Sequence, residues 1–243
     1  MIDYFLGRHP FRMRSAHTPM VRQLDAGFTV LSYNPGNGLA DPDRLAEYLR
    51  DVQADIAGIQ ELSLKQAGAI ERRLASVYPH RLLVPTGVSG KGLLSKLPFR
   101  EGAGVAFAPD RPDLSASVEV LGQCVRVIVA HPRPPKVGLT GVVFDPVTGS
   151  QILKVAEMAI SERPAVILGD FNMTERQAHH WHRGSRVDNL PLTPLIRNDY
   201  VWYSVDLIAS RVWVGGDAGS DHLPVLARLN WREGANGAKG NRQ

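Results

Sequence analysis

Short apolar runs that stop abruptly at a carboxylate or an amide constrain this chain more than any other feature. In "VILGDFNMT", residues 166 to 174, Val166, Ile167 and Leu168 give way to Gly169, Asp170, Phe171 and Asn172. A strand with no polar alternation belongs to a sheet covered on both faces. In such sheets the C-terminal strand edge is where ligands meet the protein, which makes Asp170 and Asn172 candidate site residues. Asp-x-Asn after a glycine is also ordinary turn chemistry, so the tetrapeptide alone does not decide.

The pattern recurs along the chain. "FTVLSYN" (28 to 34) reads as a strand delivering Asn34 into the turn "PGNG". A helix follows, N-capped by Asp41 with Pro42 in its first turn and Leu45, Leu49, Val52 and Ile56 at helical spacing. "IAGIQE" is a second strand, ending in Glu61. Ser63 and Gln66 form a capping box ahead of "AGAIERRLASV", where Ile70, Leu74 and Val77 share one face. From residue 80 shorter strands take over: "HRLLVP", "GLLSK", "GVAFAP", and a hairpin of "SASVEVL" and "CVRVIVA" about Gly122 that ends at His131. "ILKVAEMAI" reads as a helix, and "SVDLIAS", "RVWVG" and "LPVLARLNW" as further strands. Asp206, inside the apolar "SVDLIAS", is expensive to bury without a partner. Ser220, Asp221 and His222 stand just before "LPVLARL". Strands in both halves with few long helices predict two packed sheets with helices outside.

Composition narrows the function classes. With 243 residues, 44% of them hydrophobic, and no repeat or internal linker, the chain can bury one large core. We read residues 1 to 24 as a basic N-terminal extension, 25 to 232 as the domain and 233 to 243 as a disordered tail. No apolar run approaches the roughly 18 residues a membrane span needs, and the N-terminal segment lacks the apolar centre of a secretory signal. These features predict a soluble, cytoplasmic monomer. The lone Cys124 excludes an internal disulfide framework and is expected to be a buried structural thiol. A net charge of +4 and a pI near 9.4, with Arg8, Arg12, Arg14 and Arg22 near the start, favour phosphate-bearing partners. His179, His180 and His182 in "HHWH" read as a solvated loop, since no acid or cysteine stands at ligand spacing. "GKG" at 90 to 92 lacks the Ser/Thr and helix of a phosphate loop.

"SYN" with Asn34, "DIAGIQE" with Glu61, "GLLSKLPF", His131, "GDFN", "VDLI" and "SDHLPV", in that order, resemble the endonuclease/exonuclease/phosphatase superfamily. The resemblance covers roughly residues 28 to 231. It implies an α/β (α+β) four-layer sandwich, two packed and mostly antiparallel β-sheets flanked by helices, with a divalent-metal phosphoesterase site at one end. By similarity Glu61 is the main metal ligand, with Asn34 and Asp221 nearby. Asp170 orients or deprotonates the attacking water, and Asn172 binds the phosphate. His222 stabilises the phosphoryl group or acts as base, with Asp206 fixing its tautomer, and His131 contacts phosphate or protonates the leaving group. Mg²⁺ suits so oxygen-rich a site, with Mn²⁺ as a substitute. The expected function is phosphodiester hydrolysis, with DNA as the first substrate. The alternative is a phosphodiesterase or phosphatase acting on a lipid headgroup or small phosphorylated molecule. An inactive binding module of the same fold is a third reading.

Overall fold

The computed structural model describes residues 27–108, 110–134, 136–138, 141–143, 146–172 and 199–232. The basic N-terminal segment, "HHWH" and the C-terminal tail lie outside them. Two sheets carry the fold. The first contains β1 (Phe28–Tyr33), β2 (Ile56–Gln60), β3 (His80–Val84), β4 (Lys91–Ser95), β12 (Leu207–Val214) and β13 (Val225–Trp231) in the order β12-β13-β1-β2-β4-β3. The second contains β5 (Phe99–Ala108), β6 (Arg111–Val120), β7 (Gln123–Ala130), β10 (Ala165–Asp170) and β11 (Asp199–Tyr203) in the order β11-β10-β7-β6-β5. A small hairpin pairs β8 (Lys136–Gly138) with β9 (Gly141–Val143).

Local chemistry explains the helices. In α1 (Pro42–Val52) the Asp41 carboxylate accepts from the N–H groups of Asp43 and Arg44, and Gln53 closes the helix in the left-handed conformation. The helix therefore stops short of Ile56, which starts β2. In α2 (Leu64–Arg73) the Ser63–Gln66 capping box forms in both directions. α3 (Pro146–Ser161) covers the predicted helical stretch and extends it toward the N-terminus. The β6–β7 hairpin turns on Leu121 and Gly122, both with positive φ, the twist a two-residue hairpin requires.

Alternate residues of the apolar strands serve different layers. Val30, Ile56, Val127, Val129, Val166 and Leu168 point between the sheets. Leu31, Ala57 and Ile59 pack outward under α1 and α2, and Ile128 and Ile167 pack outward against α3 residues Ile152 and Val155. That division is why these strands show no polar alternation. The sheets touch closely at Gly58, where an added Cβ would lie 2.7 Å from Leu168. The result is the expected four-layer sandwich.

Two details differ from the sequence reading. "SVDLIAS" and "RVWVG" are not separate strands: β12 runs through both with a bulge between Ala209 and Arg211. Cys124 is exposed, because it alternates with the core residues Val125 and Val127 and so faces outward, opposite Glu119.

Among the described residues all but two strand pairs are antiparallel. The exceptions, β1 with β2 and β7 with β10, place one parallel pair in the middle of each sheet. Parallel neighbours end on the same side, so Asn34, Glu61, His131 and Asp170, each next to its strand's last residue or that residue itself, arrive at one edge of the sandwich.

Candidate active site

Asp170 lies at the centre of this edge, with its side chain only 2% exposed. Its Oδ2 accepts from Asn34 Nδ2 at 3.0 Å and its Oδ1 from the Asn172 N–H at 2.9 Å. His131 Nε2 and His222 Nε2 each stand 3.7 Å from Oδ2. Glu61 reaches within 3.7 Å of His131 Nε2, and Asn172 Nδ2 lies 3.3 Å from the same nitrogen. Ser220 Oγ donates to the Asn34 carbonyl at 2.8 Å and lies 3.2 Å from the His222 N–H, joining the loop before β13 to the end of β1. Asp221 is exposed, and its carboxylate faces Ser220 Oγ at 3.2 Å.

Backbone shape follows from this crowding. Gly169 cannot be replaced freely, since a Cβ there would lie 2.4 Å from the Ala130 carbonyl oxygen. Phe171 is fully buried and packs 4.1 Å from the Trp202 ring, so it anchors the turn while its neighbours face the cleft. Glu61 and Asn172 both adopt left-handed backbone, φ 47° and 51°. Asparagine tolerates that region, whereas for glutamate it costs about 1 kcal/mol, a strain of the kind that persists at functional sites.

The structure corrects one assignment. Asp206 is remote from His222: its carboxylate takes two 2.9 Å hydrogen bonds from Arg163 and one of 2.8 Å from Ser204. The partner of His222 is Asp199, whose Oδ2 lies 2.7 Å from Nδ1. Asp199 is the register partner of Asp170 across β10 and β11. The available signal was "DYVWYS", an acid heading an aromatic and β-branched run.

Charge is unevenly distributed here. Burial, with Asp199 adding, pushes Asp170 up to about 7 against the pull of His222 and two hydrogen bonds. The hydrogen bond to Asp199 lifts His222 to about 9 although burial opposes it, so it is a cation at neutral pH. Burial pushes His131 down to about 3, with Arg111 and Lys91 adding, so it is neutral. Asp170, Asp199 and His222 have ligand atoms all within 4.8 Å of one another, a spacing compatible with a metal ion. Asp199 and His222, however, already bind each other, which leaves Glu61, 21% exposed, and the exposed Asp221 as the carboxylates open to an ion. Carboxylates outnumber cations, and the oxygen-rich donor set fits a hard divalent ion.

Comparison with known proteins agrees with this geometry. The model of the Endonuclease/Exonuclease/phosphatase family matches residues 30–222. The chain belongs to that family. Its members are metal-dependent phosphoesterases, and this chain is one of these hydrolases. Solved structures with the same fold include an endonuclease/exonuclease/phosphatase protein from Bacteroides vulgatus, 17% identical with a TM-score of 0.66, covering 85% of this chain and 99% of that one. D. rerio TDP2 complexed with a single-strand DNA product is 19% identical with a TM-score of 0.64, covering 84% and 99%. The human Nocturnin catalytic domain with a bound sulfate anion is 18% identical with a TM-score of 0.63, covering 85% and 94%. No curated protein matches the chain. Among the described residues no helix is long and apolar enough to cross a membrane.

Proposed function

We propose that this family member is a Mg²⁺-dependent phosphodiesterase that cleaves nucleic acid, DNA first. The observation carrying the reading is the convergence of Asp170 with the Asp199–His222 pair on one side and Glu61 with His131 on the other. Glu61, with Asn34 and Asp221, would hold the metal, and Mn²⁺ could replace Mg²⁺. When bound, the ion supplies Lewis-acid polarisation of a phosphoryl oxygen and offsets charge on the leaving oxygen.

The chain's own residues account for the rest. Asp170, raised toward neutral pH and held by Asn34 and Asn172, orients the attacking water and accepts its proton. His222, kept charged and oriented by Asp199, stabilises the phosphoryl oxygens. Asn172 donates to phosphate. His131, neutral, serves as a hydrogen-bonding group to phosphate or leaving oxygen rather than as a cation. Arg111 is partly buried close to Glu61 and adds positive potential at the mouth.

Support for DNA comes from the pI near 9.4 and from the single-strand DNA product held by the D. rerio TDP2 structure. The test is a panel of plasmid DNA, abasic duplex, RNA, sphingomyelin and small phosphate esters with Mg²⁺. We expect plasmid nicking. We also expect DNA affinity of an Asp170→Asn variant to fall at least about tenfold between roughly 50 and 200 mM salt, since each neutralised phosphate releases counterions. Salt-insensitive binding together with fast turnover of sphingomyelin or a small ester would replace the nuclease reading with a lipid-headgroup or small-molecule phosphoesterase.

A further inference from the structure

Lys91, the lysine of the "GKG" stretch, has a completely buried side chain, which is rare for this residue. Its Nζ lies 3.4 Å from Asp113 Oδ1, and the Asp113 side chain is equally buried. Burying two charges costs several kcal/mol per ion unless further hydrogen bonds complete them. They are completed here. Lys91 Nζ donates to the carbonyls of Pro112 at 2.9 Å and Ser89 at 3.2 Å. Asp113 Oδ2 accepts from Gln151 Nε2 of α3 at 2.8 Å. The cluster therefore ties the first sheet, through β4, to the second, through β6, and to the helix outside it.

The location gives the cluster a task. The β6–β7 ladder runs to the Leu114–Val129 pair. Carried on by two residues, the same register sets His131 opposite Pro112, which has no N–H to give and whose carbonyl Lys91 occupies. The main chain of His131 is held by side chains instead: its N–H donates to Asp113 Oδ1 at 3.4 Å, and its carbonyl accepts from Arg111 Nη1 at 3.4 Å.

We propose that the Lys91–Asp113–Gln151 cluster is a positioning device for His131, substituting for the missing ladder bonds and fixing where the imidazole meets the Glu61–Asp170 cleft. Lys91 holds the carboxylate, Gln151 sets its second oxygen, and Asp113 holds the His131 backbone. None of the three reaches the reacting atoms. The activity arm of the test rests on the phosphodiesterase reading, and the structural arm does not.

Two charge-free pairs separate positioning from general stability. Lys91→Met with Asp113→Asn keeps an oxygen acceptor for the His131 N–H, whereas Lys91→Met with Asp113→Leu removes it at similar volume. By amide exchange followed with NMR, the parent and the Asn pair should protect the His131 N–H, and the Leu pair should lose that protection. On a phosphodiester with Mg²⁺ the Leu pair should lose about tenfold or more in kcat with KM little changed, as expected for a displaced catalytic group. In a His131→Gln background the same Leu pair should cost nothing further. Equal losses with and without His131, or indistinguishable Asn and Leu pairs, would overturn the proposal. Should the Leu pair not fold, the parent still decides: a His131 amide exchanging at the rate of an open chain refutes the Asp113 bond. An enzyme inactive on every phosphodiester would overturn the functional reading while amide exchange still judged this one.

Discussion

Replacing Asp199 should lower the pKa of His222, and replacing Asp206 should not. His222 rises from the ordinary 6.5 to about 9, and the hydrogen bond to Asp199 is the largest cause, ahead of the opposing effect of burial. At 1.36 kcal/mol per pH unit the charged imidazole gains roughly 3 kcal/mol, supplied mainly across the 2.7 Å contact. Asp199→Asn keeps shape and a side-chain oxygen but removes the charge. Burial then opposes a smaller attraction from Asp170 and Asp221, and we expect the midpoint to fall by about 1 to 2 pH units. The sign for stability follows: the raised His222 pKa contributes below about 6.5 and is lost as pH rises through about 9, but it needs an ionised Asp199, whose carboxyl burial pushes up, so Asp199→Asn should destabilise most near neutral pH and little in acid, where that carboxyl is protonated. The assay is an NMR titration of the His222 ring proton in chelator, with the resonance assigned by His222→Gln. Turnover of Asp199→Asn should fall roughly a hundredfold or more, because the ring loses part of its charge and the carboxylate that orients it. Asp206→Asn breaks only a partly exposed pair with Arg163, worth about 1 kcal/mol or less, and should leave both titration and turnover as in the parent. An unmoved His222 midpoint in Asp199→Asn, or a shifted one in Asp206→Asn, would refute the assignment.

Glu61→Gln should raise the Mg²⁺ needed for half-maximal activity while leaving the fold intact; calorimetry showing unchanged Mg²⁺ binding would remove Glu61 from the metal set. Asp170→Asn should stabilise the metal-free protein above neutral pH, because a carboxyl raised from 3.8 to about 7 makes folding progressively less favourable as pH climbs between those values, with a ceiling of roughly 4 kcal/mol. The new amide would face the Asn34 amide, so we expect about 1–3 kcal/mol in denaturant melts at pH 8, and no gain at pH 4. Phe171→Ala should cost about 3–5 kcal/mol, as for other emptied aromatic sites, and lower turnover by releasing the turn between Asp170 and Asn172.

Strand direction explains what the sequence revealed and what it hid. A residue that follows an apolar run lies at the functional edge only when its strand ends there, and β1, β2, β7 and β10 all do. Asn34, Glu61, His131 and Asp170 are legible for that reason. Antiparallel neighbours reverse the rule. β13 runs against β1 and β11 against β10, so their beginnings sit at the same edge, and the residues that matter come before the apolar run. His222, preceding "LPVLARL", fits that rule, and so does Asp199, preceding "YVWY". Asp206 also precedes a strand, but β12 is antiparallel to β13, with Leu207 paired to Trp231, and its beginning lies at the opposite end of the sheet. Arg163, just ahead of the start of β10, is at that end too, which is why the two meet. Lys91 and Asp113 obey the same geometry. Each stands at or near the beginning of a strand antiparallel to one that ends at the site, β4 against β2 and β6 against β7. One-dimensional patterning locates strands and their ends. It cannot say which end faces the cleft until pairing direction is known, and the charged pair behind His131 is visible only once both sheets are folded together.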